Sequence, residues 1–149
     1  MVEELEALAV RLERLPAAVR AELSRLVVDA SGLLLDINRE YIEKAGQTVD
    51  AQAIQASGYS PAYAKYKAKY GTFKNTAYVD LKLTGAFLAS LQLDQVDTLQ
   101  FLVIATDEKY AFLTKYGELL GIREADLNDF VESILTPELD AFVGRYLNA

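Results

Sequence analysis

The stretch LQLDQVDTLQFLVIA, Leu91–Ala105, decides the fold, because it is the clearest part of the chain that does not read as helix. Leu91, Leu93 and Gln95 alternate with Gln92 and Asp94, which is the period of two of a half-buried strand. Asp97 and Thr98 supply turn chemistry, and Leu99–Ala105 is almost continuously apolar with β-branched content. The economical reading is an antiparallel hairpin. Because the second run is apolar on both sides, its strand is expected to be buried between helices or between helix and subunit.

Helical patterns surround this hairpin. Val19, Leu23, Leu26, Val27, Ala30, Leu34, Ile37 and Tyr41 lay one apolar stripe along a helix, with Gly46 as a left-handed stop. If Ala17–Ala45 is one helix, its ~29 residues make a rod of roughly 43 Å, longer than a domain of this size needs, so part of it should meet a partner. Val28, Leu33 and Leu35 lie off the stripe and either form a second apolar face or widen the first. Leu5, Leu8, Leu12 and Leu15 repeat at helical spacing upstream of Pro16, which predicts two helices, or one with a kink. Gln47–Gly58 reads as a loop or a short helix.

Ser60 followed by Pro61 is a helix start, a capping hydroxyl with proline at the first helical position, and Gly71 closes that helix. Gly71–Val79 then reads as a loop of about nine residues, long for a connection and expected to be mobile until it docks. Leu83, Thr84 and Gly85 open a short helix, AFLASL. After the hairpin, Asp107 caps a helix through Tyr116 that ends at Gly117, Leu127–Leu135 marks another, and Thr136 with Pro137 starts the last. The whole is an α+β fold, a long N-terminal amphipathic helix and C-terminal helices packed on a small antiparallel sheet. We expect a single domain, 1–149, made of an N-terminal helical segment (1–46), a connector helix and loop (47–80) and an α+β core (81–149).

At 149 residues and 52% apolar content, the chain can bury one core. It contains neither cysteine nor histidine, which removes disulfides, thiolate nucleophiles, imidazole bases and the usual zinc and haem ligands. The carboxylate pairs Asp94/Asp97 and Glu124/Asp126 sit at a turn and a helix start, where acids ordinarily cap. Asp126, Asp129 and Glu132 form the polar face of an amphipathic helix without the glycine of a calcium loop. No phosphate-cradling or nucleophile-elbow motif is present. We therefore expect no catalytic set, no cofactor and no metal site.

MVEELEALAV, Met1–Val10, carries acids where a secretion signal has a basic region, and no apolar run approaches the ~18 residues of a membrane span. The expectation is a protein that is soluble and intracellular while it folds and makes no membrane contact. The net charge of −7 opposes general attraction to nucleic acid. It is unevenly spread: −3 over residues 1–45, +1 over 46–106 and −5 over 107–149. Lys65, Lys67, Lys69 and Lys74 form a basic island with no acid between Ala51 and Val79, and Tyr59, Tyr63, Tyr66 and Tyr70 line one side of the same helix. Tyrosine at this spacing is ordinarily a cover for the core, but tyrosine beside lysine also suits a wet protein interface or a phosphate backbone.

Three ordered motifs carry a resemblance over about 90 residues: YSPAYAKYKAKYG at Tyr59–Gly71, LKLTGAFLASL at Leu81–Leu91, and Tyr110-Ala111 followed by Tyr116-Gly117, with Leu120-Gly121-Ile122 leading into READLNDFVESI. In this region the chain resembles the tail-completion and head-tail joining proteins of tailed bacteriophages, sometimes grouped as virion-morphogenesis proteins. It lacks their proline-arginine-proline segment and carries Arg123 where a Ser or Thr cap would stand. The resemblance implies a non-enzymatic virion neck component, a homo-oligomeric ring in contact with portal, adaptor, tail-tube or terminator proteins. Tyr59, Tyr63, Lys65, Tyr66, Lys67, Lys69 and Tyr70 would then be interface residues, and Phe73, Lys74 and Tyr78 part of a docking loop. Two other classes compete. A nucleic-acid-binding module would use the four lysines, giving a salt slope of roughly −4 or shallower. A carboxylate-based hydrolase of cell-wall glycans is the more remote.

Overall fold

In the computed structural model, which describes residues 1–149, Leu91–Ala105 forms the expected hairpin, β1 (Leu91–Asp97) paired antiparallel with β2 (Gln100–Ala105). Around it in sequence lie α1 (Val2–Asp29), α2 (Ser31–Glu43), α3 (Pro61–Tyr70), the single turn α4 (Ala86–Ala89), α5 (Tyr110–Leu113), α6 (Glu124–Phe130) and α7 (Thr136–Asn148). The α+β class is as the sequence predicts. The chain divides into two compact units: Met1–Ala30 with Gln95–Phe101 and Glu124–Ala149, and Ser31–Asp94 with Leu102–Arg123.

The first unit is helical. α1 packs against α7, and the two run antiparallel: Arg11 donates to the carbonyls of Leu147 (3.0 Å) and Ala149 (2.7 Å), while Arg25 lies near Glu138. The hairpin tip is held by Gln95 Nε2 donating to Ser24 Oγ at 2.7 Å. Leu26, Phe130 and Leu135 are the buried apolar residues of this unit.

The boundaries of the N-terminal and C-terminal helices differ from expectation. α1 continues through Pro16, and the break falls at Ala30 (φ −89, ψ 7). Pro16 is exposed, so water can bond the carbonyl it leaves unpaired, whereas Ser31 and Gly32, just after the break, are weaker helix formers than alanine. The apolar stripe therefore serves two units, Leu26 in one and Leu34 and Tyr41 in the other. Near the C-terminus, Thr136 is not a cap: its angles are helical (φ −62, ψ −49), and Val131–Leu135 is a π-helical turn that carries α6 into α7. The wider turn accommodates Pro137, which has no donor and whose ring crowds the preceding turn.

The second unit holds the larger core. Leu35, Ile42, Ile54, Val79, Phe87, Leu88, Leu91 and Leu119 cluster there, so of the three residues off the stripe Leu35 joins the core while Val28 and Leu33 stay exposed. Full burial of one such side chain is worth roughly 1.5–3 kcal/mol, which is why this cluster holds α2, α4 and the strand base together. The polar connections are buried as well. Asn38 donates to the Leu119 carbonyl (2.9 Å) and accepts from Gly121 N–H (3.0 Å). Arg123, found where a cap was expected, donates to the carbonyls of Val49 (3.0 Å) and Thr48 (2.9 Å), and its guanidinium lies 3.9 Å from the centre of the Tyr41 ring.

Gln47–Gly58 is a loop closed by a bridge between Gln47 and Ala53. Gly46 has φ +60, and a Cβ there would lie 2.6 Å from Tyr78 Cδ2, so both conformation and space demand glycine. The Asp107 helix is shorter than expected. Asp107 accepts from Lys109 N–H (2.8 Å), α5 covers only Tyr110–Leu113, and a 3-10 turn completes the run to Gly117. Within one copy β2 is buried on one side only: Val103 and Ala105 pack against the core, while Leu102 is exposed.

Candidate functional site

α3 is built as its sequence dictates. Ser60 Oγ accepts from Tyr63 N–H at 3.3 Å, Pro61 takes the first helical position, and Gly71 N–H closes the end on the Lys67 carbonyl at 2.9 Å. Tyr59, Tyr63, Tyr66 and Tyr70 form a continuous ladder with ring centroids 5.1, 6.2 and 5.2 Å apart. Exposure rises along it, from half-buried Tyr59 to 38% at Tyr63, 50% at Tyr66 and 64% at Tyr70, so most of this stripe faces outward and does not cover the core. Lys65 and Lys69 are exposed beside it, and Lys69 Nζ lies 5.0 Å from the Tyr70 ring centre. Lys74 Nζ donates to the Ala68 carbonyl at 3.1 Å, placing a cation at the negative end of the helix.

Lys67 is the correction. Expected on the basic face, it is fully buried, and its ammonium donates to Asp80 Oδ1, to the Asn75 carbonyl (2.7 Å) and to Tyr59 OH (3.4 Å). Helix geometry explains this: the tyrosine stripe defines one face, and Lys67 points to the side where the chain returns. Tyr59 OH in turn donates to Asp80 Oδ1 (2.8 Å) and accepts from the N–H groups of Asp80 and Leu81 (3.2 Å each). Asn75 Nδ2 donates to Asp80 Oδ2 at 3.2 Å. All three ammonium protons are used, so Lys67 anchors α3 to the loop that follows.

The same network fixes Gly71–Val79, expected to be mobile. Thr72 and Phe73 N–H donate to the Leu83 carbonyl (2.9 and 3.2 Å), Asn75 Oδ1 accepts from Ala77 N–H (3.1 Å), and Tyr78 OH donates to the Glu43 carbonyl (2.7 Å). Lys82 pairs with Glu43 and lies 3.8 Å from the Phe73 ring centre. Tyr59 and Tyr78 are thus internal ties, whereas Phe73 and Lys74 remain exposed.

Burial alone would raise the Asp80 carboxyl, but hydrogen bonds from Lys67, Tyr59, Asn75 and the Lys82 N–H outweigh it and hold the pKa below its ordinary value. The Tyr59 phenol is pushed well above its usual range, first by burial and then by its bond to Asp80. Tyr63 is raised by burial and by the Asp80 charge. At neutral pH Asp80 is an anion, and both phenols keep their protons as donors.

Beside this network lies a cavity of about 440 Å³, lined by Tyr59, Tyr63, Leu81, Leu83, Phe87, Leu113 and Tyr116, with Ser60, Thr84, Asp107 and Lys109 as its polar groups. Gly85 (φ +84) borders it, and a Cβ there would lie 2.9 Å from Phe73 Cε2, which accounts for glycine in the LTGAF motif. No set of three or more acidic side chains is grouped to hold a metal ion, and no helix is long and apolar enough to cross a membrane.

Sequence reading missed Asn75 and Asp80. The available signal was that Asp80 is the single acid between Asp50 and Asp94, a stretch with five lysines. Compared with known protein families, characterised proteins and solved structures, the chain matches none of them.

Proposed function

We propose that the protein is a structural component of a phage or prophage virion neck, of the tail-completion or head-tail connector type, that acts by docking against other virion proteins. The observation that carries this reading is the exposed Tyr63–Tyr66–Tyr70 ladder beside Lys65 and Lys69 on a helix whose inner side is fixed by buried Lys67 and Asp80. Tyrosines on a pre-ordered helix offer large contact area at small entropic cost, which suits a protein interface. The neck as the setting rests on the ordered motifs from Tyr59 to Ile134. Portal, adaptor, tail-tube and terminator proteins are the partners to test. The wild-type chain is expected to co-sediment with at least one of them and to appear in negative-stain assemblies, and a Tyr66→Ser/Tyr70→Ser variant to be lost from both. No co-sedimentation with any of the four would reject the reading.

A further inference from the structure

We infer that the tyrosine–lysine face of α3 receives the first turns of α1 from a second copy of this chain, a head-to-tail contact that rests on the reading of this face as an interface. Met1–Val10 is exposed throughout although it is helical. Within α1, Leu5 (62% exposed), Leu8 (37%) and Leu12 (49%) form an apolar stripe that is left partly open. Its spacing of three and then four residues equals that of Tyr63, Tyr66 and Tyr70. Each stripe is therefore about 10 Å long at 1.5 Å per residue, so two helices can lay them side by side.

Charge selects this partner. The first ten residues carry Glu3, Glu4 and Glu6 and no basic side chain, and Arg11 beside the stripe is engaged with the Leu147 and Ala149 carbonyls, while the α3 face carries Lys65, Lys69 and Lys74 and no acid. Apolar contact between leucine and tyrosine supplies affinity, and the opposed charges set register and direction. The two surfaces differ, so the contact is heterologous. Repeated, it closes a ring or extends a chain of copies.

The test is a reciprocal charge swap read by sedimentation velocity and mass photometry on the full chain. Wild type is expected to self-associate in a concentration-dependent way that weakens as salt rises. Glu3→Lys/Glu4→Lys/Glu6→Lys and Lys65→Glu/Lys69→Glu/Lys74→Glu should each weaken self-association about tenfold or more, with unchanged helical circular dichroism. An equimolar mixture of the two variants should associate again, because each basic surface then meets an acidic one. A monomeric wild type at every concentration, or swaps without effect, or a mixture that stays dissociated, overturns the contact. Capture of neck proteins by a monomeric wild type would leave the proposed function standing and reject this contact alone. Self-association without such capture does the reverse.

Discussion

Replacing Asp80 with Asn removes the counter-charge of a lysine that has no access to water. The Lys67 and Asp80 side chains are 0% and 4% exposed. Asn keeps the shape and some hydrogen bonding, so the loss is mainly that of charge compensation. Breaking one partner of a buried pair costs roughly 3–5 kcal/mol, because the remaining ion is left desolvated. Against a stability of about 5–15 kcal/mol, that is a large fraction. At roughly 2–4 °C per kcal/mol for a chain of this size, the melting temperature should fall by about 6–20 °C in a circular dichroism or calorimetric scan. The double variant Lys67→Met/Asp80→Asn should recover much of the loss, since no charge is then left buried. The pair also fixes a pH response. Folding lowers the Asp80 pKa, so the folded state binds this proton less readily than the unfolded chain, and the stabilisation is complete only above the ordinary carboxylate range near ~4. It disappears as pH falls through the lower folded value. An Asp80→Asn loss below about 1 kcal/mol, or acid unfolding identical in wild type and variant, would refute the argument.

Asn38→Ala should destabilise by roughly 1–3 kcal/mol for each orphaned group, the Leu119 carbonyl and the Gly121 N–H, measured by urea unfolding. Two glycines should respond in opposite directions: Gly46→Ala lowers stability by about 1–2 kcal/mol or more through φ +60 and the Tyr78 ring, whereas Gly32→Ala, helical and with open space around its Cβ, raises it by roughly 0.5–1 kcal/mol. Tyr66→Ser and Tyr70→Ser should change stability by no more than about 0.5 kcal/mol each while removing partner capture, which separates a docking role from a folding one. If the chain binds DNA, a titration in increasing salt should give a slope no steeper than about −3, because Lys67 is internal and only three lysines of the island can reach phosphates.

The hairpin, the Ser60–Pro61 start of α3 and the short helix after Gly85 were legible because each depends on local chemistry: period-two alternation, a capping hydroxyl, a left-handed glycine. The break at Ala30 was not, since the stripe from Val19 to Tyr41 has the same period on either side of it and only tertiary packing assigns Leu26 to one unit and Leu34 to the other. The uncovered face of β2 was equally hidden. Leu102 is the kind of residue a buried strand carries, and its exposure follows from how few elements stand beside the sheet. At the site, spacing located the tyrosine ladder but could not separate Lys67 from Lys65 and Lys69, because the three lysines alternate and their fates are decided by where Asp80 returns, 13 residues later.

Amine-reactive footprinting of the lysines, read by mass spectrometry in the free chain and in its assemblies with neck proteins, tests the docking role of α3 most directly. In the free chain, at a dilution where it is monomeric, Lys65 and Lys69 should label readily and Lys67 should not. On assembly Lys65 and Lys69 should become protected, with Lys67 unlabelled throughout. Labelling of Lys65 and Lys69 that is unchanged by assembly, or a Lys67 as reactive as its neighbours in the free chain, would contradict the account.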